Sequence, residues 1–196
     1  LLASQSSRPP ETTLPPMHAT LADVIADTAQ NSIEAGARHV SLTITEDGKT
    51  IAVEIKDDGK GMDQATLARA FNPFYTEPGK HDKRRVGLGL PILKQICESC
   101  DGAVSLKSTK GVGTTLSYSF SAKHIDLPPM GDIVGAILML FNYPGEFDLT
   151  FKHKVGSEEY EISRLELADA VGGLETIEGL TLAKEFLTSQ EESLTA

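Results

Sequence analysis

The stretch Lys56-Asp57-Asp58-Gly59-Lys60-Gly61-Met62 constrains this chain most. It follows the alternating apolar run Ile51, Val53, Ile55, so a strand ends there and turns sharply into a loop. A carboxylate at a strand end, followed by glycines at alternate positions, lets the backbone come close to a flat ligand while the acid accepts a hydrogen bond from it. A purine amine would be read in this way. On its own the pattern says little, because a strand followed by an Asp/Gly turn is commonplace.

Its company says more. Upstream, Asp27 and Asn31 stand four residues apart on a predicted helix, so their side chains share one face. Downstream come Phe71-Asn72-Pro73-Phe74, then Gly87-Leu88-Gly89-Leu90 opening another helix, then Gly111-Val112-Gly113-Thr114-Thr115 entering a strand. In these boxes and their order the chain resembles the GHKL superfamily of ATPases and kinases, which includes gyrase-type topoisomerases, histidine kinases and mismatch-repair ATPases. The resemblance covers roughly residues 18–122. It implies an α/β fold of the Bergerat (GHKL) type, a two-layer α/β sandwich that binds ATP with Mg2+.

The resemblance also implies roles for single residues. Asn31 is the metal-ligating asparagine, an amide oxygen completing a shell of phosphate and water oxygens around Mg2+. Asp57 accepts from the adenine amine, with Thr114 supporting the same region; Gly59 and Gly61 let the base lie against the backbone. Gly87, Leu88, Gly89 and Leu90 offer helix-start N–H groups to the phosphates.

Asp27 occupies the place where many relatives carry a glutamate that orients the attacking water. Aspartate is one methylene shorter, so either it is a catalytic base with slow turnover or its part is structural. Glu34 stands where histidine kinases tend to have a lysine, and Asn31-Ser32-Ile33-Glu34-Ala35-Gly36 looks more like the mismatch-repair branch. Arg85 stands where the kinase pattern often has a glycine. Lys83, Arg84 and Arg85 are either phosphate contacts or a solvated charge run. Phe71 and Phe74 resemble the kinase phenylalanine box and also read as core aromatics.

Periodicity places the rest. Apolar residues recur at helical spacing over 18–35, and two alternating strands follow, joined by an Asp47-Gly48 hairpin turn. A helix is predicted over 62–71, with Asp63 at its start. From 72 to 86 periodicity fails and a surface loop of lid length is expected. A helix over 88–100 and strands over 103–108 and 115–121 complete an antiparallel or mixed sheet with helices on one side. Beyond Asp126 a small C-terminal α+β appendage is expected: a helix over 133–141, strands over 147–155 and 158–163, and helices over 165–171 and 178–192. The domain reading is therefore a disordered lead-in over 1–16, an ATPase domain over 17–124 and an accessory unit over 125–196.

Composition narrows the function classes. A net charge of -10 argues against a large nucleic-acid surface. Two cysteines, Cys97 and Cys100, supply no disulfide framework and suit a reducing cytoplasm; helical placement makes burial, rather than zinc, the simpler reading. No apolar run reaches the roughly 20 residues of a membrane-spanning helix. No signal peptide is read at the amino end, and nothing around His18 forms the long helical hairpin that carries a phosphorylated histidine. The leading expectation is a cytoplasmic Mg-dependent ATP-binding protein, with slow ATPase or nucleotide-switch activity, that regulates a protein partner through the C-terminal unit or the lid. The alternatives are a histidine or serine kinase acting in trans and a non-catalytic ATP-binding module.

Overall fold

Residues His39–Glu46 (β1) and Thr50–Asp57 (β2) alternate buried and outward-facing side chains and pair antiparallel through the Asp47-Gly48 turn, where Asp47 Oδ1 accepts from the N–H groups of Lys49 and Thr50. The computed structural model describes residues 20–72 and 89–194; the lead-in, the lid expected beyond Asn72, Phe74, Lys83, Arg84, Arg85, Gly87 and Leu88 lie outside the described residues. Two further strands, Ala103–Thr109 (β3) and Gly113–Ser121 (β4), extend the sheet on the β2 side. Asp148–Val155 (β5) and Glu158–Ser163 (β6) extend it on the β1 side. The sheet has six strands in the order β3-β4-β2-β1-β5-β6, all antiparallel except the β1–β5 pair, so it is mixed.

The helices cover one face, as the alternation requires. Leu21–Glu34 (α1) lies on β1 and β2, and Gly89–Ser99 (α3) lies on β3 and β4. Arg164–Val171 (α5) lies on β5 and β6, and Ile177–Leu194 (α6) on β6. Ile133–Phe141 (α4) packs between α1 and α6. A two-layer α/β sandwich results. The inward rows (Val40, Leu42, Ile44; Ile51, Val53, Ile55; Leu116, Tyr118, Phe120; Leu149, Phe151) meet the apolar stripes of the helices in one core. Cys97 and Cys100 are buried free thiols within it, and burial pushes Cys97 up to about 12. Among the described residues no helix is long and apolar enough to cross a membrane.

Two differences from the sequence reading have clear causes. The helix predicted over 62–71 is one turn, Gln64–Leu67 (α2), capped by the Asp63 carboxylate accepting from Thr66 N–H. None of its residues is buried, so nothing anchors a longer helix to the core. The strands of the segment expected as an appendage do not form a separate sheet: β5 pairs along all of β1, from His39 opposite Asp148 to Glu46 opposite Val155. The same segment also reaches the start of α1. Thr20 and Asp23 form a capping box there, while the N–H groups of Leu21 and Ala22 donate to the carbonyls of Pro129 (2.9 Å) and Met130 (2.8 Å). Pairing covers what would be an open strand edge, and α4 covers an apolar flank of α1.

The inward row of β5 ends in a polar cluster rather than an apolar one. His153 is buried, its Nδ1 3.0 Å from Glu191 of α6 and its Nε2 3.1 Å from Glu46 of β1, while the Tyr160 hydroxyl donates to Glu191. Burial opposes the imidazolium, but the hydrogen bonds to Glu191 and Glu46 outweigh it and raise His153 to about 9.

A histidine raised from 6.5 to about 9 contributes stability that is complete below pH 6.5 and is lost as pH climbs through 9. Urea unfolding at pH 6 and pH 9.5 should therefore differ by up to roughly 3 kcal/mol in the wild type, and much of that slope should vanish in His153→Gln. A chain ending at residue 124 should bind a hydrophobic dye and lose its cooperative thermal transition. An unchanged melting curve would contradict the single shared core.

Candidate functional site

The period-two alternation that buries Ile51, Val53 and Ile55 continues to Asp57, so it drives a carboxylate onto the core-facing side of the sheet. Asp57 is 8% exposed. Its register partner on β4 is Thr114, and the partner of Thr114 on β3 is Ser108. Three adjacent strands thus end their inward rows in polar residues at the same end of the sheet.

A buried carboxylate must be met by donors. Asp57 Oδ1 accepts from the N–H groups of Gly59 (2.9 Å) and Thr114 (3.2 Å), and its Oδ2 accepts from the Ser32 hydroxyl of α1 (2.8 Å). Each carboxylate oxygen can accept about two hydrogen bonds, so Oδ2 retains acceptor capacity beside Ser32. Ser108 forms the other half of the frame. Its hydroxyl accepts from Met62 N–H (2.8 Å), donates to the Gly113 carbonyl (3.0 Å) and lies 2.9 Å from Thr114 Oγ1.

Gly61 has φ +58°, and a β-carbon there would collide with the Thr109 carbonyl. The loop after Asp57 is therefore pressed against the β3–β4 turn, which the Gly111 N–H bond to the Lys60 carbonyl (2.8 Å) reinforces. Asp58 anchors the start of β1: it accepts from the N–H groups of Arg38 and His39 and from His39 Nδ1. The His39 N–H bond is the main reason its carboxyl is lowered to about 2.

Asp27 and Asn31 lie one turn apart on α1, both half-buried. Gly89, at the start of α3, comes so close that a β-carbon there would lie 2.6 Å from Asp27 Oδ2. Leu90 follows on α3 and packs against the core. The candidate base and the helix start expected to hold phosphates are thus neighbours. One turn beyond Asn31, Glu34 Oε1 accepts from Gln30 Nε2 and from the Tyr143 hydroxyl, each at 2.9 Å. Phe71 is half-buried with Lys94 Nζ 5.9 Å from its ring centroid.

Of the residues singled out from sequence, Asp57, Gly59, Gly61 and Thr114 come together at one end of the sheet, and Asp27 meets Gly89. Asn31 lies on α1 between Asp27 and Ser32. Ser32 and Ser108 were missed. Both carried a signal: each is a hydroxyl at a position where the periodicity calls for an apolar side chain, Ser32 beside Ile33 on the buried face of α1 and Ser108 after Val104 and Leu106.

The chain is 36% identical over 104 residues to the heme sensor protein HssS of Staphylococcus saprophyticus, covering 53% of this chain and 22% of that protein. It is 32% identical over 85 residues to the sensor histidine kinase YxdK of Bacillus subtilis, covering 43% and 26%. It spans about a quarter of the length of these curated relatives. Among solved structures, the N-terminal domain of a DNA repair protein shares the fold with a TM-score of 0.55 at 15% identity, covering 82% of this chain and 58% of that one. Residues 18–124, more than half of the chain, match the model of the histidine kinase-, DNA gyrase B- and HSP90-like ATPases. The chain belongs to that family and carries an ATPase/kinase domain of the GHKL superfamily.

Proposed function

We propose that this protein binds ATP with Mg2+ at the Asp57 end of the sheet beside α1, turns it over slowly, and uses the nucleotide state to regulate a protein partner in the cytoplasm. The observation behind this reading is the restrained Asp57 carboxylate, which three donors hold while Oδ2 keeps room for one more. An adenine amine is a donor and suits that position; the keto group of guanine is an acceptor and would face another acceptor. Met62 and Gly61, pinned by Ser108 and the β3–β4 turn, form the wall on which a flat base would rest.

Magnesium fits the donor set. Asn31 offers a half-buried neutral amide, and a small hard cation that keeps most of its shell for phosphate and water oxygens needs little else from the protein. When bound, the ion would neutralise phosphate charge. The N–H groups at the start of α3 would face the same phosphates. Asp27 would take a proton from the water that attacks the terminal phosphorus, releasing ADP and phosphate. Its short side chain would make that turnover slow.

Phosphotransfer to histidine or serine of another chain is the second reading, favoured by the likeness to the sensor histidine kinase YxdK. Incubation with ATP labelled in the γ-phosphate distinguishes the two: label on a co-purified protein supports transfer, and release as inorganic phosphate alone supports hydrolysis.

In calorimetry, Asp57→Asn should weaken ATP binding by roughly 10- to 100-fold, the worth of a hydrogen bond to a charged group, and wild type should bind GTP much more weakly than ATP. Unchanged ATP affinity would reject the pocket. Asn31→Ala should abolish the gain in ATP affinity on adding Mg2+. Asp27→Asn should cut turnover by about 100-fold or more while leaving ATP affinity intact; unaltered turnover would make Asp27 structural.

A further inference from the structure

The charge of this chain is unevenly placed. Residues 125–196 hold fourteen Asp and Glu against four Lys and Arg, whereas residues 1–124 hold fourteen of each, so the whole net charge of -10 belongs to the C-terminal segment. Much of it sits on the outer helices. Asp169 on α5, Glu175 in the following turn, and Glu178 and Glu185 on α6 are exposed, and none forms an ion pair among the described residues. Arg164, one of the few cations nearby, donates to the carbonyls of Phe141 and Phe147 and stacks on the Phe147 ring at 4.6 Å.

Amid this negative charge α6 exposes large apolar side chains. Leu182 is 45% exposed and Phe186 is 39% exposed; four residues apart, they share one flank of the helix. The neighbouring α4 contains no polar residue along its length and leaves Met139 50% exposed. An exposed aromatic and aliphatic pair within a charged surround has the make-up of an interface core and rim.

We propose that the outer face of α6, centred on Leu182 and Phe186, docks a positively charged amphipathic segment of a partner protein. Charge selects the occupant. A second copy would set one highly acidic segment against another, and anionic lipid or nucleic acid would be repelled, whereas a basic segment is drawn in and can seat its apolar side chains on the α6 pair. The proposal rests on the partner-regulating half of the function above and does not require the nucleotide pocket.

The test uses the full chain and two 18-residue helical peptides of identical apolar pattern, one of Leu and Lys and the other of Leu and Glu. The Leu/Lys peptide should bind one-to-one, with amide shift changes in the 15N-labelled protein centred on α6, and the Leu/Glu peptide should not bind. Leu182→Ala combined with Phe186→Ala should weaken binding roughly tenfold or more, and Glu178→Gln combined with Glu185→Gln should weaken it several-fold. Unchanged ATP affinity in the first pair shows that the variant is folded. Shifts centred elsewhere, or binding indifferent to the apolar pair, would overturn the proposal. So would dimerisation in sedimentation that the apolar pair abolishes, or peptide binding that emerges only after residues 1–16 are removed. Should wild type bind the peptide but no ATP, the pocket reading falls and this one stands.

Discussion

A buried carboxylate at the end of a strand holds one end of this molecule together. Desolvating Asp57 is unfavourable unless its lone pairs are filled, and the donors that fill them come from three directions: the Ser32 hydroxyl of α1, the Gly59 N–H of the following loop and the Thr114 N–H of β4. Helix, loop and neighbouring strand are therefore positioned by one group. Removing any single donor leaves a buried anion less satisfied, which is a larger penalty than losing a surface hydrogen bond. The same arrangement leaves acceptor capacity on Oδ2 beside the Ser32 hydroxyl.

The second end of the sheet repeats the logic with the opposite purpose. There the inward row runs out at His153, which is enclosed by Glu46 and Glu191 and ties the C-terminal helix to the neighbouring strands β1 and β5. Its charge is compensated on both ring nitrogens, so no acceptor or donor of the imidazole is left for a ligand. Both ends bury ionisable groups, and at both the partners come from more than one element of the fold.

Between them, α1 connects the site to the C-terminal segment. One face of this helix lies on the sheet and carries Ser32; a flank lies on α4; its first N–H groups bond to Pro129 and Met130, and its last turn holds Tyr143 through Glu34. A ligand that makes different contacts with Asp27 and Asn31 in two states biases the very helix on which the C-terminal segment rests. Glu34, a departure from the kinase pattern, thus has a local reason: it is the acceptor for both Gln30 and Tyr143.

Local order in the chain sufficed for much of this. The alternation ending at Asp57, the Asp27–Asn31 spacing and the glycine clusters identify the family and the two-layer sandwich, because period and turn chemistry are properties of neighbouring residues. The short α2 was misjudged because nothing in its own residues reveals that they find no core to pack on. Ser32 and Ser108 escaped notice because a hydroxyl in an apolar row gains meaning only when the acceptor facing it is known, and those acceptors are 25 and 5 residues away. The parallel pairing of β1 with β5 was beyond reach for the same reason at greater range. It joins strands between which β2, β3, β4 and the helices α2, α3 and α4 intervene, and its register depends on packing that forms only when α1, α4 and α6 share one core.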